Sequence, residues 1–356
     1  WEQRNHDTVR MVAIMTEAAA LDILTIGDFL VDMVAPDASD LQTATVFYRT
    51  AGGAPANVAV SAARLGVRSG FMGAIGADAF GAFLRDTLVE HGVNDEALVS
   101  VPQRTTLALV AKNTGGIPDF VFYRGADAAF RPEDVSEDLV GRSRFLCAGL
   151  TSMTVEPARS AVYAAVEIAQ RHGALICIDP NLRPSSWPTL GDALDTAAPL
   201  LAAANILKIN DEEARLFSGL PDLDEAVETL DVPRRLLVVT LGAEGCLWRW
   251  QGEGGRIAAP RVEVQDSTGA GDAFLGALLS ELSAGGFERE NFSSLTSNQL
   301  KSALTFACAA GAISCTRVGA MASLPTRAEV EQLLASNNDT THTLPGPLFA
   351  ARHPDE

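Results

Sequence analysis

DSTGAGDAF, at residues 266–274, carries the strongest signal in the sequence. Its Gly269–Ala270–Gly271 turn leads directly into a predicted helix over residues 269–282. Glycines let the backbone approach an anion closely, and a helix N-terminus offers unpaired N–H groups and the positive end of a dipole. Asp272, in the first helical turn, can accept a proton from a substrate hydroxyl. The stretch predicts phosphoryl transfer to an alcohol; a tight turn with Asp272 as a helix cap is the alternative.

Buried strands alternate with amphipathic helices on either side of this stretch. Predicted strands occupy residues 21–28, 69–76, 145–149, 174–180, 205–210 and 235–242. Predicted helices occupy residues 55–66, 78–92, 157–172, 211–219, 298–314 and 327–335. This alternation predicts an α/β fold, in which helices cover both faces of a doubly wound, mostly parallel sheet.

Two stretches, at about 30–51 and 104–125, contain extended segments but no predicted helix. The second reads as a hairpin around a turn at 114–118. Helix-free segments inserted into a doubly wound core predict a small β-sheet lid over the strand ends, where ligands bind in such folds. Core and lid are predicted to form one domain over residues 21–336. We expect a loose extension before it (1–20) and a polar tail after it (337–356).

The net charge limits the classes of partner, and the cysteines indicate the cellular compartment. A formal net charge of -18 disfavours nucleic acid and anionic membrane as partners, because both would be repelled. Every apolar stretch is interrupted by charge well before about 18 residues, too short for a membrane-spanning helix. The five cysteines form no CxxC pair and mostly stand in apolar runs. They predict buried thiols in a reducing compartment, the cytoplasm.

Two further motifs precede predicted helices. In AGGAPANVAV (51–60), Gly52 and Gly53 could let a sugar lie against the backbone while Asn57 hydrogen-bonds a hydroxyl; the alternative is an ordinary loop-to-helix junction. In KINDEEARLF (208–217), Asn210 and Glu213 follow a buried strand and could organise magnesium, largely through water. The alternative there is a helix capping box.

Polar residues and glycines also end other predicted strands. Thr240, Gly242 and Gly245 in VVTLGAEG (238–245) either hold a nucleotide phosphate or begin a hairpin. In IDPNLRPSSW (178–187), Asp179, Asn181 and Arg183 end a buried strand, and polar groups at that end point towards a ligand crevice. Arg183 could meet a phosphate as a planar fork, and Arg124 could reach a sugar from the lid. For each arginine the alternative is a surface ion pair.

Several other chemistries lack their motifs. The sequence contains no GxxxxGK[ST], which excludes a Walker-type kinase, and no GxGxxG follows the first strand. It contains no nucleophile elbow of a Ser-His-Asp hydrolase. The five histidines show no metal-ligand spacing.

Taken in order, these motifs resemble those of the ribokinase/fructokinase superfamily of carbohydrate kinases, from about residue 21 to residue 334. The resemblance implies a ribokinase-like fold, with ATP as phosphoryl donor, Mg²⁺ beside its phosphates and a sugar as acceptor. It implies these roles: Asp272 as catalytic base and Gly269, Ala270 and Gly271 as anion hole; Asp32, Gly52, Gly53, Asn57, Arg124 and Arg183 as sugar-binding residues; Lys208, Asn210, Thr240, Gly242 and Gly245 as nucleotide-binding residues; Glu213 as the residue that positions magnesium through water. It also implies a K⁺ site at Asp266, Thr268, Ser314, Gly319 and Ser323.

Three details within the resemblance favour a fructokinase: GGAPANVAV, DPNLRPSSWP and GAMASLPT (319–326). Fructose is the expected sugar, and the acceptor is expected to be its C6 hydroxyl. Alternatives are 2-keto-3-deoxygluconate, ribose, an inositol or a riboside with the same machinery. A catalytically silent homologue that acts as a binding protein is the alternative from another class. Lid sheets of relatives often pair, so a homodimer through the lid is also expected.

Overall fold

Strands that are buried on both faces run through the middle of the molecule. The structure is a computed structural model, and it describes residues 20–35, 40–112 and 118–338. The large sheet consists, from one edge to the other, of β13 (Glu253–Ile257), β12 (Cys246–Trp250), β11 (Leu236–Thr240), β10 (Ile206–Asn210), β9 (Leu175–Ile178), β8 (Ser143–Ala148), β1 (Leu21–Ile26), β4 (Ser69–Gly76) and β5 (Leu98–Val101). All neighbours from β11 to β5 pair in parallel, and β12 and β13 add an antiparallel hairpin.

Helices cover both faces of this sheet. They are α1 (Ala54–Arg64), α2 (Ala79–Glu90), α3 (Glu137–Gly141), α4 (Ala158–His172), α5 (Leu190–Ala203), α6 (Asp211–Ser218), α7 (Leu223–Leu230), α8 (Ala270–Ala284), α9 (Ser297–Ser314), α10 (Ala320–Ser323) and α11 (Arg327–Asn338). Leu24 of β1 lies in an apolar cluster with residues of α4 and α5, and its neighbour Ile23 lies in the cluster with α8 and α9. Successive side chains point to opposite faces, so the strand contributes to two cores.

A second, small sheet follows directly after β1. It consists, in spatial order, of β3 (Tyr48–Gly52), β2 (Leu30–Ala35), β6 (Leu107–Lys112) and β7 (Pro118–Tyr123). β2 pairs in parallel with β6, and the outer pairs are antiparallel. Because β2 begins four residues after β1 ends, this lid sheet is anchored at the carboxyl edge of the large sheet.

The predicted α/β class, the mostly parallel sheet and the small second sheet are confirmed. The Thr240–Gly245 segment does begin a hairpin, because β12 returns antiparallel to β11. Strands β5, β12 and β13 and helices α3, α5, α7 and α10 were not predicted. The predicted extension (1–20, apart from residue 20), most of the turn at 114–118 and the tail beyond 338 lie outside the described residues. None of the helices in the described ranges combines the length and apolarity needed to cross a membrane.

Candidate active site

The carboxyl ends of the parallel strands bring polar residues from distant parts of the chain to one edge. Asp28 follows β1, Asp179 follows β9, and Asn210 and Thr240 are the last residues of β10 and β11. Parallel strands in an open sheet place their ligands in the crevice outside this edge. The N-terminus of α8 lies at the same edge, because a Cβ on its Gly271 would lie 3.0 Å from Nζ of Lys208, and that Nζ lies 2.8 Å from Oδ2 of Asp179.

The start of α8 depends on two glycines. Gly269 precedes the helix with φ of 81°, a left-handed conformation that a side chain would strain, and a Cβ there would meet Cα of Ala320 at 2.9 Å. A Cβ on Gly271 would lie 3.0 Å from Nζ of Lys208. The N–H of Ala270 already donates to the carbonyl oxygen of Ser267 at 3.2 Å. The first-turn N–H groups after it have no acceptor within the helix and remain available to an anion.

Asp272 stands in this first turn, only 8% exposed. Its Oδ2 accepts a hydrogen bond of 2.8 Å from Nδ2 of Asn57 on α1. Burial raises the pKa of Asp272 to about 7, and the charge of Asp179 adds to this, whereas Asn57 and the cations Lys208 and Arg183 oppose it. A carboxylate with a pKa near 7 can take up a proton at neutral pH, as a general base must.

Lys208 is buried beneath the turn and forms an ion pair with Asp179, with 2.8 Å between Nζ and Oδ2. Burial alone lowers the pKa of the ammonium group. The carboxylates of Asp179, Glu213 and Asp272 outweigh that effect, so the net pKa is raised and Lys208 stays charged. Its position under Gly271 puts a fixed positive charge directly behind the predicted anion hole.

Glu213 and Asn210 form the capping box that was the alternative interpretation of their motif. Oε2 of Glu213 accepts from the N–H of Asn210, and Oδ1 of Asn210 accepts from the N–H of Glu213. Oε1 of Glu213 accepts from the N–H of Leu182 at 2.6 Å. Burial and Asp179 raise the pKa of Glu213 against the opposing effect of Lys208.

These contacts do not exhaust the acceptor sites of Glu213, because a carboxylate has about four lone-pair sites. Among the described residues, no group of three or more histidines, cysteines and acidic residues could hold a metal ion by itself. The unused acceptor sites of Glu213 fit a magnesium ion that this residue would contact through water.

Three buried acceptor oxygens at this edge have no hydrogen-bond partner. They are Oδ1 of Asp28, Oδ1 of Asn57 and Oδ1 of Asp179. A buried acceptor without a donor costs about 1–3 kcal/mol. All three oxygens belong to residues at this edge of the sheet, so a ligand that supplies hydrogen-bond donors there would remove that cost.

Arg124 is held by a buried carboxylate where β7 leaves the lid. Asp127 accepts short hydrogen bonds from the Arg124 guanidinium and from Oγ1 of Thr106, just before β6. Arg124 also donates to the carbonyl oxygen of Thr151 at 2.8 Å. The guanidinium therefore sits in a fixed position, and it interacts electrostatically with Asp28, whose pKa burial raises to about 6.

Asp32 and the glycine pair fit together closely. Asp32 stands in β2, opposite Thr50 of β3. A Cβ on Gly52 would come within 2.0 Å of Oδ2 of Asp32, so the glycine makes room for this carboxylate. Gly53 has φ of 114° and packs against the carbonyl oxygen of Asp28. Burial, with the nearby charge of Asp28, raises the pKa of Asp32 to about 7.

Of the remaining predicted ligand residues, Arg183 is exposed and donates to the carbonyl oxygen of Leu182 at 3.3 Å. Its positive charge lowers the pKa of Asp28 and of Asp272, against the larger effect of burial. Gly242 and Gly245 have φ of 58° and 96° in the tight connection that follows Thr240. A Cβ on Gly245 would come within 2.0 Å of the carbonyl oxygen of Ile257.

The residues of the predicted potassium site form two hydrogen-bonded groups. Asp266 accepts from the N–H and Oγ1 of Thr268 and, at 3.1 Å, from the N–H of Gly319. The hydroxyls of Ser314 and Ser323 lie 2.7 Å apart and are buried. Carboxylate, hydroxyl and carbonyl oxygens are the ligands that hard cations take, so the donor set fits such an ion.

The structure adds two acids that the sequence did not indicate as crevice residues, Asp28 and Asp127, and it pairs the predicted Asp179 with Lys208. Asp28 stands two residues after a buried strand, and an acid at that position is a usable sequence signal. Asp127 gives no such signal, because its importance comes from contacts with Arg124 and Thr106 that only the folded chain brings together.

Residues 20–327 match the family described as pfkB family carbohydrate kinase. The chain belongs to this family. Relatives of the chain agree with this pfkB family assignment. Fructokinase-1 of Oryza sativa subsp. japonica is 37% identical to the chain over 320 residues, which cover 88% of this chain and 98% of the relative. The chain is an ATP-dependent sugar kinase.

Solved structures agree with this assignment. Fructokinase from Xylella fastidiosa with bound ATP superposes with a TM-score of 0.82 at 33% identity, covering 89% of this chain and 99% of that one. A double mutant of fructokinase from Vibrio cholerae O395 in a fructose, ADP and potassium ion bound form has a TM-score of 0.77 at 30% identity, covering 88% and 99%.

Proposed function

We propose that this pfkB family kinase transfers the γ-phosphate of ATP to the C6 hydroxyl of fructose. The observation that carries the proposal is the set of three unpaired, buried acceptor oxygens on Asp28, Asn57 and Asp179. A polyhydroxylated substrate supplies several hydroxyl donors at once and would remove the cost of leaving these oxygens unpaired. The relatives named fructokinase support fructose among such substrates.

Asp272 takes the proton from the attacking hydroxyl. Its bond to Asn57 fixes one carboxylate oxygen and leaves the other for the substrate. Arg124, held by Asp127, and Asp32 orient the sugar from the lid side, together with the backbone of Gly52 and Gly53. Closure of the lid sheet excludes water, which would otherwise receive the phosphoryl group.

The turn Gly269–Gly271 stabilises the negative charge that develops on the phosphoryl group during its transfer. Its N–H groups and the α8 dipole act in a buried setting, with Lys208 behind them. The nucleotide lies along Asn210, Thr240 and the Gly242–Gly245 connection. A magnesium ion would neutralise phosphate charge when bound, with Glu213 holding its water, and a potassium ion at Asp266, Ser314 and Ser323 would support the turn.

An ATP-consumption screen on the purified protein tests this proposal. It compares fructose, 2-keto-3-deoxygluconate, ribose, an inositol and a riboside, each with magnesium, with and without potassium. We expect fructose to give the highest kcat/KM, phosphate on C6 by NMR, and stimulation by potassium. A preference for another sugar would contradict fructose and leave the Asp272 chemistry intact. No turnover with any of them, with ATP still bound, would contradict the whole proposal.

A homodimer through the lid is part of the proposal. β3 and β7 are the edge strands of the lid sheet and expose Tyr48 (61%), Val121 (40%) and Tyr123 (61%). Exposed edge strands with apolar side chains are surfaces on which a second chain can pair. Light scattering after gel filtration should give twice the chain mass, and Tyr123→Lys should shift it to the monomer mass. A monomeric wild-type protein would contradict this part.

A cytoplasmic location is proposed from the thiols. The five cysteines are all free, and four of them are buried. Unpaired thiols persist where glutathione keeps them reduced. Fractionation of cells that express the tagged chain should recover it with cytoplasmic markers, and recovery outside that fraction would contradict the proposal.

A further inference from the structure

A second cavity lies at the opposite edge of the large sheet from the candidate active site. Its volume is about 340 Å³. Leu175 begins β9, Asn205 directly precedes β10, and Arg234 stands two residues before β11, so the cavity opens at the amino ends of these strands. Ligand pockets for small molecules typically measure about 300–1,000 Å³. The cavity is therefore large enough for a small metabolite, and no residue of the proposed kinase site lines it.

The cavity presents positive charge in a strongly negative protein. Arg234 and Arg289 both line it and are exposed. Many arginines in the described ranges, for example Arg142, lie within 4.0 Å of a carboxylate. Within those ranges Arg234 and Arg289 form no such ion pair, and the one hydrogen bond found for Arg289 runs to the carbonyl oxygen of Ala174 at 3.4 Å. Two guanidinium groups therefore keep most of their donors available to an anion.

A third donor is oriented by the backbone. Oδ1 of Asn205 accepts from the N–H of Ile176 at 2.9 Å, which fixes the amide so that its Nδ2 is the free end. Arg234 has φ of 66°, a left-handed backbone conformation that is strained for a residue other than glycine. Such strain is concentrated at functional sites, and here it falls on one of the two cationic residues of the cavity.

The cavity is also lined by apolar side chains. Trp250 and Phe292, with ring centroids 5.0 Å apart, and Leu175 belong to this lining. Gln251 and Ser293 line it as well, and Nε2 of Gln251 donates to the carbonyl oxygen of Ser293 at 2.7 Å. Hydrogen-bond donors and hydrocarbon in one cavity suit an organic acid better than an inorganic ion.

We propose that this cavity is a second binding site, which takes a small organic anion with more than one carboxylate or phosphate group. Arg234 and Arg289 hold the acidic groups, Nδ2 of Asn205 donates to one of them, and Trp250 and Phe292 cover the carbon skeleton. This site is independent of the proposed transfer to fructose.

Calorimetric titration and thermal denaturation test the proposal, with citrate and 2-phosphoglycerate as probes and without ATP or metal. The protein variants are wild type, the double variant Arg234→Ala/Arg289→Ala and the control Arg131→Ala. Arg131 is exposed and does not line the cavity, and its replacement by alanine removes a guanidinium charge, as each substitution in the double variant does. All three should keep their kinase activity and circular dichroism, because the substituted side chains are on the surface.

We expect at least one probe to bind wild type and the Arg131→Ala control with equal affinity and to raise their Tm. In the double variant the Kd should rise at least about tenfold. Absence of binding by both probes up to about 10 mM would overturn the proposal. So would binding that the double variant leaves unchanged, because the probe would then occupy the kinase site or another surface.

Discussion

Nδ2 of Asn57 donates a hydrogen bond of 2.8 Å to Oδ2 of Asp272, across 215 residues of sequence. The bond joins the first turns of α1 and α8, so the two glycine-rich motifs of the sequence meet at one atom pair. It also fixes which carboxylate oxygen of Asp272 is left for a substrate. The amide that the sequence suggested as a sugar ligand is thus first of all a positioning group, while its Oδ1 remains unpaired.

Asn57→Ala should raise the pH at which the enzyme becomes active. The Asn57 hydrogen bond lowers the pKa of Asp272, so its loss raises that pKa further above about 7. The acid limb of the kcat/KM profile should move to higher pH, and kcat/KM at neutral pH should fall by about a hundredfold. Ser61→Ala is the matched control, because it also links α1 to α8, through the carbonyl oxygen of Ala273 at 3.3 Å. An unshifted acid limb in Asn57→Ala would contradict this role.

Asp272→Asn should lose activity and gain stability. Removal of a general base lowers turnover by about 10²–10⁴-fold, with sugar affinity retained. Burial raises the folded pKa to about 7 from an ordinary value of 3.8, so the folded state binds the proton more tightly than the unfolded chain. The resulting loss of stability grows as pH rises through this window and is complete above it.

At pH 8 we therefore expect Asp272→Asn to exceed wild type in free energy of unfolding by about 1–3 kcal/mol. The advantage should shrink at pH 5, as measured by urea denaturation at both values. Asp195→Asn makes the same change on an exposed residue of α5 and should show no such pH-dependent gain. An active Asp272→Asn enzyme would remove Asp272 from the proposed mechanism, whatever its stability.

Lys208→Met should be among the most destabilising substitutions at the site. It leaves Asp179 buried without its cation, and breaking a buried ion pair costs about 3–5 kcal/mol. Asp179→Asn should cost less, because Glu213 and Asp272 still interact with Lys208. The double variant Lys208→Met/Asp179→Asn should recover much of the loss. Additive single effects in a double-mutant cycle by urea denaturation would show that the pair is not coupled.

The sequence predicted what depends on local pattern. The strand ending at Asn210 and the helix starting after Gly269 follow from apolar runs and glycines, and both were found where expected. Helix α5 was missed because Pro199 interrupts its pattern, although the described helix continues through it. The hairpin of β12 and β13 was missed because its turn uses Gln251 with φ of 52°, where Asn would have given the usual signal.

Within the candidate site, local motifs suggested single residues but not the contacts between them. Asn57 and Asp272 were each suggested by their own motif, but nothing in either motif states that they touch. The position of Lys208 under Gly271 depends on packing between β10 and α8, and the ion pair with Asp179 joins two strands. Such relationships arise from tertiary packing, which composition and periodicity do not encode.

Asp127→Asn should weaken sugar binding and spare nucleotide binding. The Asp127 carboxylate has no exposed side-chain surface and holds the Arg124 guanidinium, so its replacement removes the charge that keeps Arg124 directed at the crevice. We expect the KM for the sugar to rise about tenfold, with the KM for ATP unchanged, in steady-state kinetics with each substrate varied.

The matched control is Asp138→Asn, which removes the same charge from an exposed pair with Arg142 at 2.8 Å and should change neither KM. Asp127 is also hydrogen-bonded to Thr106, so its loss could loosen the lid as a whole. Thr106→Val separates the two effects, because it removes that bond, and the 2.8 Å bond that Oγ1 accepts from the N–H of Gly125, but leaves the Arg124 ion pair. If Thr106→Val raised the sugar KM as much as Asp127→Asn does, Asp127 would act on the lid and not by positioning Arg124.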